Sequence, residues 1–163
     1  MKFLVRDLQT DRHRKIRSFL DEDNALIAVL LAAVDLEWTI RRTIDAMTKT
    51  DVSDKLISGL ENYKKEWQMI CVQQGGMQTL DVIVDDWRLL KEYYQIRHDI
   101  IHGRTGSTTL DYASPRVEAM LEAAKSIAIA GKAAGADPYS RLRKRRLTGA
   151  MKNKALKERK TSE

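Results

Sequence analysis

The chain has 163 residues, about the length of one ordinary domain, with 43% hydrophobic residues and a formal net charge of +6. Its longest apolar run, residues 25–34, is far shorter than the roughly 20 residues that cross a bilayer, and charged residues directly after Val5 exclude a secretory signal. The single cysteine, Cys71, excludes an intrachain disulfide and a zinc site with several cysteines. We therefore expect a cytoplasmic protein with no membrane contact, in which Cys71 is a small buried side chain.

Long stretches of hydrophobic residues with helical periodicity, and no alternating runs, predict an all-α fold, a helical bundle of about five helices. The first two helices are expected over residues 11–20 and 24–47, the second with Asp23 as its N-cap. A third helix is expected to follow a capping cluster at residues 50–53 and to reach at least Trp67, and at most Gln74, before two glycines stop it.

The fourth and fifth helices complete the predicted bundle. Thr79 is expected to cap a fourth helix that runs without a break to His102, with Gly103 at the position after the helix end. Ser114 followed by Pro115 has the pattern of an N-cap and a first helical residue, so the fifth helix is expected to begin there, after a loop over residues 103–113, and to end near residues 131–135.

Charge is distributed unevenly and divides the chain into a domain, 1–138, and a basic C-terminal tail, 139–163. The tail holds ten Lys or Arg and two Glu, a net charge of +8, and residues 1–20 hold six basic and two acidic groups, or +4. Residues 21–138 hold thirteen basic and nineteen acidic groups, or −6. Basic groups that displace counterions bind nucleic acid regardless of its sequence, which favours a polyanionic partner. A solvated tail that only aids solubility is the alternative.

Three charged residues fall where apolar side chains are expected. Arg97 lies near the middle of the apolar face of the fourth helix, and Glu37 and Arg41 project into the apolar face of the second. An unpaired buried charge costs several kcal/mol, roughly, so these groups must find partners or line a cleft. The pattern leaves two interpretations open: a structural ion pair of Glu37 with Arg41 or Arg97, or a functional site that Glu37 and Arg41 support.

Two histidines, His98 and His102, lie one turn apart at the end of the fourth helix. A two-histidine metal site uses the same spacing, but Asp99 points about 100° away and no glutamate lies between the histidines, so a third ligand is missing. A polar helix end is the simpler structural interpretation. An acid–base pair is the functional one.

The segment Arg97-His98-Asp99-Ile100-Ile101-His102 is followed at once by Gly103. It resembles the motif of the HEPN family, which has an arginine, a polar residue, three or four more residues and then a histidine at the end of a long helix. The apolar helix that leads to residues 36–41 resembles the long early helix of the same family. The likeness extends over about residues 10–135, and its motif lies in residues 97–102.

HEPN proteins are small helical bundles that commonly dimerise and cleave RNA without a metal, often as toxins of toxin–antitoxin systems or as anti-phage defence effectors. The resemblance therefore implies an endoribonuclease with Arg97 and His102 as the catalytic pair, His98 as their polar neighbour, and no metal or other cofactor. On one ideal helix Arg97 and His102 point about 140° apart, so we expect a homodimer that completes the active site at its interface.

The mechanism implied is attack of the RNA 2′-hydroxyl on the adjacent phosphorus, leaving a 2′,3′-cyclic phosphate and a 5′-hydroxyl. His102 would act as general base or acid, Arg97 would bind the phosphoryl oxygens, and His98 would orient the phosphate or the other histidine. In HEPN toxins regulated by a nucleotidyltransferase a tyrosine commonly stands two positions after the motif histidine. Here that residue is Arg104, which argues against such regulation, leaves open another antitoxin or inhibitory protein, and suggests a further substrate contact.

Two other functions remain open at this point. A non-catalytic HEPN-like adaptor could use its basic tail to bind nucleic acid or an acidic protein, although it would not need the Arg97 and His102 pair. A DNA-binding regulator would depend on the tail alone, because the domain lacks a helix-turn-helix pattern with a basic recognition helix.

Overall fold

The described part of the chain, residues 8–48 and 59–140 of a computed structural model, is helical and contains no strand. The all-α prediction is therefore confirmed. None of these helices is both long enough and apolar enough to span a membrane. The helices are α1 (Gln9–Asp21), α2 (Ala25–Thr48), α3 (Leu60–Trp67), α4 (Leu80–Ile83), α5 (Trp87–Ile101) and α6 (Leu110–Ala133), and α3 continues directly into a π-helical segment, Gln68–Gln74.

Helix α2 is the centre of the packing, with α6, α1, α3 and α5 arranged around it. Its contact with α6 is close because both helices present small side chains, including Ala28, Ala32 and Ala124, which are fully buried. A Cβ atom at Gly131 of α6 would lie 2.9 Å from the Thr43 methyl group of α2. Glycine is therefore needed where the two helices are closest.

The first two helix predictions agree with the structure to within a few residues, but Asp23 does not cap α2. Its backbone has a φ of 57°, and its N–H donates to Leu20 O in the turn that ends α1. The carbonyl that accepts the Ala28 N–H belongs to Asn24. Helix α3 begins at Leu60, after Gly59 with a φ of 82°. The predicted capping cluster at residues 50–53 lies outside the described residues.

The predicted continuous fourth helix is wrong, because the chain breaks at residues 84–86 into α4 and α5. Val84 is extended, with φ −106° and ψ 122°. Asp86 then starts a new helix, since its Oδ1 accepts the Leu89 N–H at 2.8 Å. Aspartate favours N-caps over helix interiors for this reason. The end of α5 is as predicted: Gly103 follows the C-cap and has a φ of 67°.

The predicted start of the fifth helix is also wrong. The helix, α6, begins at Leu110, and Thr109 is its N-cap, with Oγ1 accepting from Tyr112 N at 3.4 Å. Ser114 and Pro115 lie inside the helix, where the missing N–H of the proline costs one backbone hydrogen bond. The predicted C-terminal end is confirmed, because α6 ends at Ala133.

Cys71 is fully buried in the π-helical segment, as predicted. Burial raises the pKa of its thiol to about 12, so the thiol stays protonated at neutral pH.

A buried ionic network, which the sequence did not indicate, joins α1 to α2. Asp35 of α2 is 2% exposed, and its carboxylate accepts from Arg12 Nε at 2.8 Å and lies 2.9 Å from His13 Nε2. Although burial opposes it, the contact with Asp35 raises the pKa of Arg12. The guanidinium also stands over the rings of Trp38 and Tyr139, 5.0 Å from each centroid, and these rings stack on each other. The network therefore ties the residues after α6 to the domain.

Replacing Asp35 with Ala should lower the free energy of unfolding by about 3 to 5 kcal/mol, because Arg12 would be left buried without its carboxylate. Urea denaturation followed by circular dichroism measures the change. The matched control is Glu118→Ala, which removes the exposed pair of Arg17 and Glu118, 2.7 Å apart, and should cost at most about 1 kcal/mol. Equal losses in the two variants would contradict a dominant role of the buried network.

Candidate functional site

A cleft of about 470 Å³ opens between the start of α3 and the exposed face of α5. Its walls combine basic, acidic, imidazole and amide side chains with two apolar or aromatic ones. From α3 and the residue before it come Gly59, Leu60, Glu61 and Asn62, and from α5 and its C-cap come Lys91, Tyr94, Gln95, Arg97, His98 and His102.

The residues of α5 reach one cleft because of their spacing along the helix. Lys91, Gln95, His98 and His102 are separated by three or four positions, which places them on one side of an α-helix. Arg97 lies beside that row and is long enough to reach the same space.

Arg97 is held between α5 and α2 by Glu37. Its Nε lies 3.2 Å from Glu37 Oε1, and the two side chains are 27% and 16% exposed. The hydroxyl of Tyr94 donates to the same carboxylate oxygen, and the guanidinium stands 5.7 Å from the Tyr94 ring centroid. Of the two partners considered for Glu37, the structure therefore has Arg97. Arg41 is 3.8 Å from Asp45 instead and lies outside the cleft lining.

The pairing of Arg97 is incomplete in its hydrogen bonds. The Nε–H is not directed at Glu37 in spite of the short distance, and it has no other hydrogen-bond acceptor among the described residues. The Nε atom is itself buried, so a ligand in the cleft would have to contact the terminal nitrogens of the guanidinium, which carry the other four N–H donors. Arg97 is thus positioned by α2 and still able to bind an anion.

Burial and the neighbouring carboxylate also act on the tyrosines beside Glu37. Burial, with the hydrogen bond to Glu37 next in size, raises the pKa of Tyr94 well above its usual range. Burial and then Glu37 raise the pKa of Tyr63, which lies on α3. Both phenols therefore stay neutral at physiological pH, and the Tyr94 hydroxyl remains a donor to Glu37.

The two histidines are in contact at the open end of the cleft. Their ring centroids are 4.2 Å apart with an interplanar angle of 49°. His98 is half-buried on the last turn of α5, and His102 is the exposed C-cap residue. Although Arg97 and His102 diverge on an ideal helix, both line the cleft of a single chain. One ligand in this cleft can therefore lie against the arginine and both imidazoles.

Arg104, the predicted further substrate contact, lies outside the cleft lining. Its side chain is exposed, with NH1 3.7 Å from Asp99 Oδ1, and its backbone N–H donates to Asp99 O at 2.8 Å. Lys91 and Gln95 of α5, with Glu61 and Asn62 of α3, line the cleft but were not predicted from the sequence. The helical spacing of Lys91 and Gln95 relative to His98 could have revealed the first two. Asn62 had no such signal, because its position depends on how α3 packs on α2.

Comparison with protein families, with curated proteins and with solved structures found no significant match for this chain. Within the described ranges, no three His, Cys, Asp or Glu side chains come together as a group able to hold a metal ion.

Burial of the Tyr94 phenol, together with its hydrogen bond to Glu37, should make stability depend on pH in the alkaline range. Because the folded-state pKa of Tyr94 is raised, its contribution is present below the unfolded pKa of about 10 and is lost as the pH rises through the folded pKa. The difference in unfolding free energy between the parent and Tyr94→Phe should therefore shrink from pH 9 to pH 11. Urea titrations at both values measure it, and an unchanged difference would refute this coupling.

Proposed function

We propose that the chain is an endoribonuclease of the HEPN type that cleaves RNA by 2′-hydroxyl attack without a metal ion. The observation that supports this most is the cleft lined jointly by Arg97, His98 and His102. It offers a permanent cation for a phosphate and two imidazoles that can act as general base and general acid. The motif likeness at residues 97–102 points to the same chemistry.

In the proposed reaction the 2′-oxygen forms a bond to the adjacent phosphorus while the bond from phosphorus to the 5′-oxygen breaks. One imidazole takes the proton of the 2′-hydroxyl, and a protonated imidazole gives a proton to the leaving 5′-oxygen. Two histidines in contact, His98 and His102, can supply both functions, with His102 nearer to solvent. The products are a 2′,3′-cyclic phosphate and a 5′-hydroxyl, so protons and charge balance without a co-reactant.

Arg97 would bind the non-bridging phosphoryl oxygens and stabilise the charge that develops on them. Its position is set before RNA arrives, because Glu37 holds the guanidinium and Tyr94 holds Glu37. We therefore assign Glu37 and Tyr94 as positioning residues. Arg41 and Arg104, which lie away from the cleft, have no direct part in this proposal.

A homodimer and a role as a toxin or defence effector belong to the same proposal. Two apolar side chains near the motif in the sequence are exposed: Ile101, directly before His102, is 54% exposed, and Leu110, at the start of α6, is 47% exposed. Such residues suit contact with a second copy. Because a single chain already lines its cleft with both motif residues, the second copy would close the site over the RNA.

Incubation with labelled single-stranded RNA in EDTA should give fragments that end in 2′,3′-cyclic phosphate. Replacing His102 or Arg97 with Ala should slow cleavage by about 10²- to 10⁴-fold, the range for losing an acid–base group or a charge-stabilising donor. End-group analysis of the products, with circular dichroism to check folding, measures both. A DNA strand of the same sequence lacks the nucleophile and should survive.

The matched control for this experiment is Arg88→Ala, since Arg88 is an exposed arginine of α5 outside the cleft lining. Its cleavage rate should equal that of the parent. Folded His102→Ala and Arg97→Ala proteins as active as the parent would overturn the proposed mechanism. Binding of RNA without any cleavage by the parent would favour the adaptor function.

Mixing Arg97→Ala with His102→Ala protein tests how the dimer contributes. If each site takes both motif residues from one chain, as the shared cleft suggests, the mixture should stay as inactive as either variant alone. If each site takes Arg97 from one chain and His102 from the other, mixed dimers regain one intact site. Cleavage assays after co-refolding, with light scattering to confirm the dimer, separate the two outcomes.

A further inference from the structure

We propose that Lys91 forms a second phosphate subsite on α5, so that a single-stranded RNA lies along this helix from Lys91 to His102, and that Glu61 limits binding by pairing with Lys91. This inference rests on the proposed function, because it takes the ligand of the cleft to be RNA. It adds a residue outside the motif and a direction for the strand. The subsite is defined by a lysine of α5 and a glutamate of α3.

The spacing of residues along α5 supports a strand that lies parallel to the helix axis. From Lys91 to His102 the helix rises by about 16 Å, and from Lys91 to Arg97 by about 9 Å. In duplex DNA the phosphates of one strand are about 3.4 Å apart along the axis, and we take the same spacing for a stacked single strand. A strand with one phosphate at Arg97 therefore has another near Lys91 two or three nucleotides away. Lys91 and Arg97 both line the cleft, so the strand would not need to leave it.

In the structure Lys91 is paired with Glu61, and a phosphate would have to displace this partner. The Lys91 Nζ lies 2.8 Å from Glu61 Oε1, and the two side chains are 57% and 54% exposed. The hydrogen bond from Lys91 lowers the pKa of Glu61, which keeps the carboxylate ionised. An exposed pair of this kind contributes little to stability, so a phosphate can replace the carboxylate.

The second wall of the cleft is compatible with an anion once that replacement has occurred. Glu61 belongs to the first turn of α3, where backbone N–H groups and the helix dipole favour negative charge. Lys64 and Lys65, one turn further along α3, also act on Glu61. In the cleft lining itself, the charged side chains other than Glu61 are basic, namely those of Lys91 and Arg97.

The test measures binding separately from cleavage. A fluorescein-labelled oligouridine with methylated 2′-hydroxyls cannot react, and its anisotropy with the full-length chain gives the affinity over about 50 to 200 mM salt. Lys91→Gln should weaken binding about three- to fivefold at the lowest salt and reduce the slope of log affinity against log salt by ~0.7. Glu61→Gln should strengthen binding by a similar factor.

The chain offers a matched control in Lys125 and Glu122 of α6. Lys125 Nζ lies 3.0 Å from Glu122 Oε1, and these side chains are 53% and 63% exposed, close to the values for Lys91 and Glu61. Lys125→Gln and Glu122→Gln change the net charge identically but should leave affinity and salt slope as in the parent. If Lys91→Gln and Lys125→Gln behaved alike, the subsite would be disproved.

The same measurements keep the two proposals distinguishable. If Lys91→Gln weakens binding but the parent never cleaves unmodified RNA, the subsite stands and the ribonuclease proposal fails. If the parent cleaves RNA and Lys91→Gln has parental affinity and salt slope, the ribonuclease proposal stands and the subsite fails. A parent that does not bind the methylated oligouridine at all contradicts the subsite directly.

Discussion

The close contact between α2 and α6 is the constraint on which the rest of the domain depends. Small buried side chains along both helices, and Gly131 opposite Thr43, let the two backbones approach until no larger residue fits. Interiors are packed as densely as organic crystals, so this contact fixes the axis of α2 closely. The other helices then pack around α2, and the charged groups that α2 carries are placed with the same accuracy.

Two acidic residues of α2 differ in burial, and this difference decides whether the group only stabilises the fold or also positions a side chain that can bind a ligand. Asp35 is almost fully enclosed, and both of its oxygens are occupied by Arg12 and His13. Glu37, two residues later, is only partly covered, and its partner Arg97 is 27% exposed and lines the cleft. The desolvation of the first group is repaid by contacts inside the domain, whereas the second group leaves its arginine accessible to an anion.

Local sequence patterns were enough to predict the helical class, most helix positions and the exceptional place of Arg97 within an apolar face. They failed where two local signals competed. At Asp86 a capping aspartate divided a helix that the hydrophobic pattern alone made continuous, and at Thr109 a cap came before the stronger pattern at Ser114 and Pro115. The partner of Glu37 and the approach of α3 to Lys91 depend on tertiary packing, which no local pattern contains.

The positions of Asp35 and Glu37 have a mechanical consequence. Two residues apart on a helix, they point about 200° from each other, so their contacts lie on opposite sides of α2. The contacts of Asp35 with Arg12 and His13 oppose rotation of α2 about its own axis. Such rotation is the motion that would carry Glu37 away from Arg97, so contacts remote from the cleft supply the torsional stiffness that keeps its arginine in place.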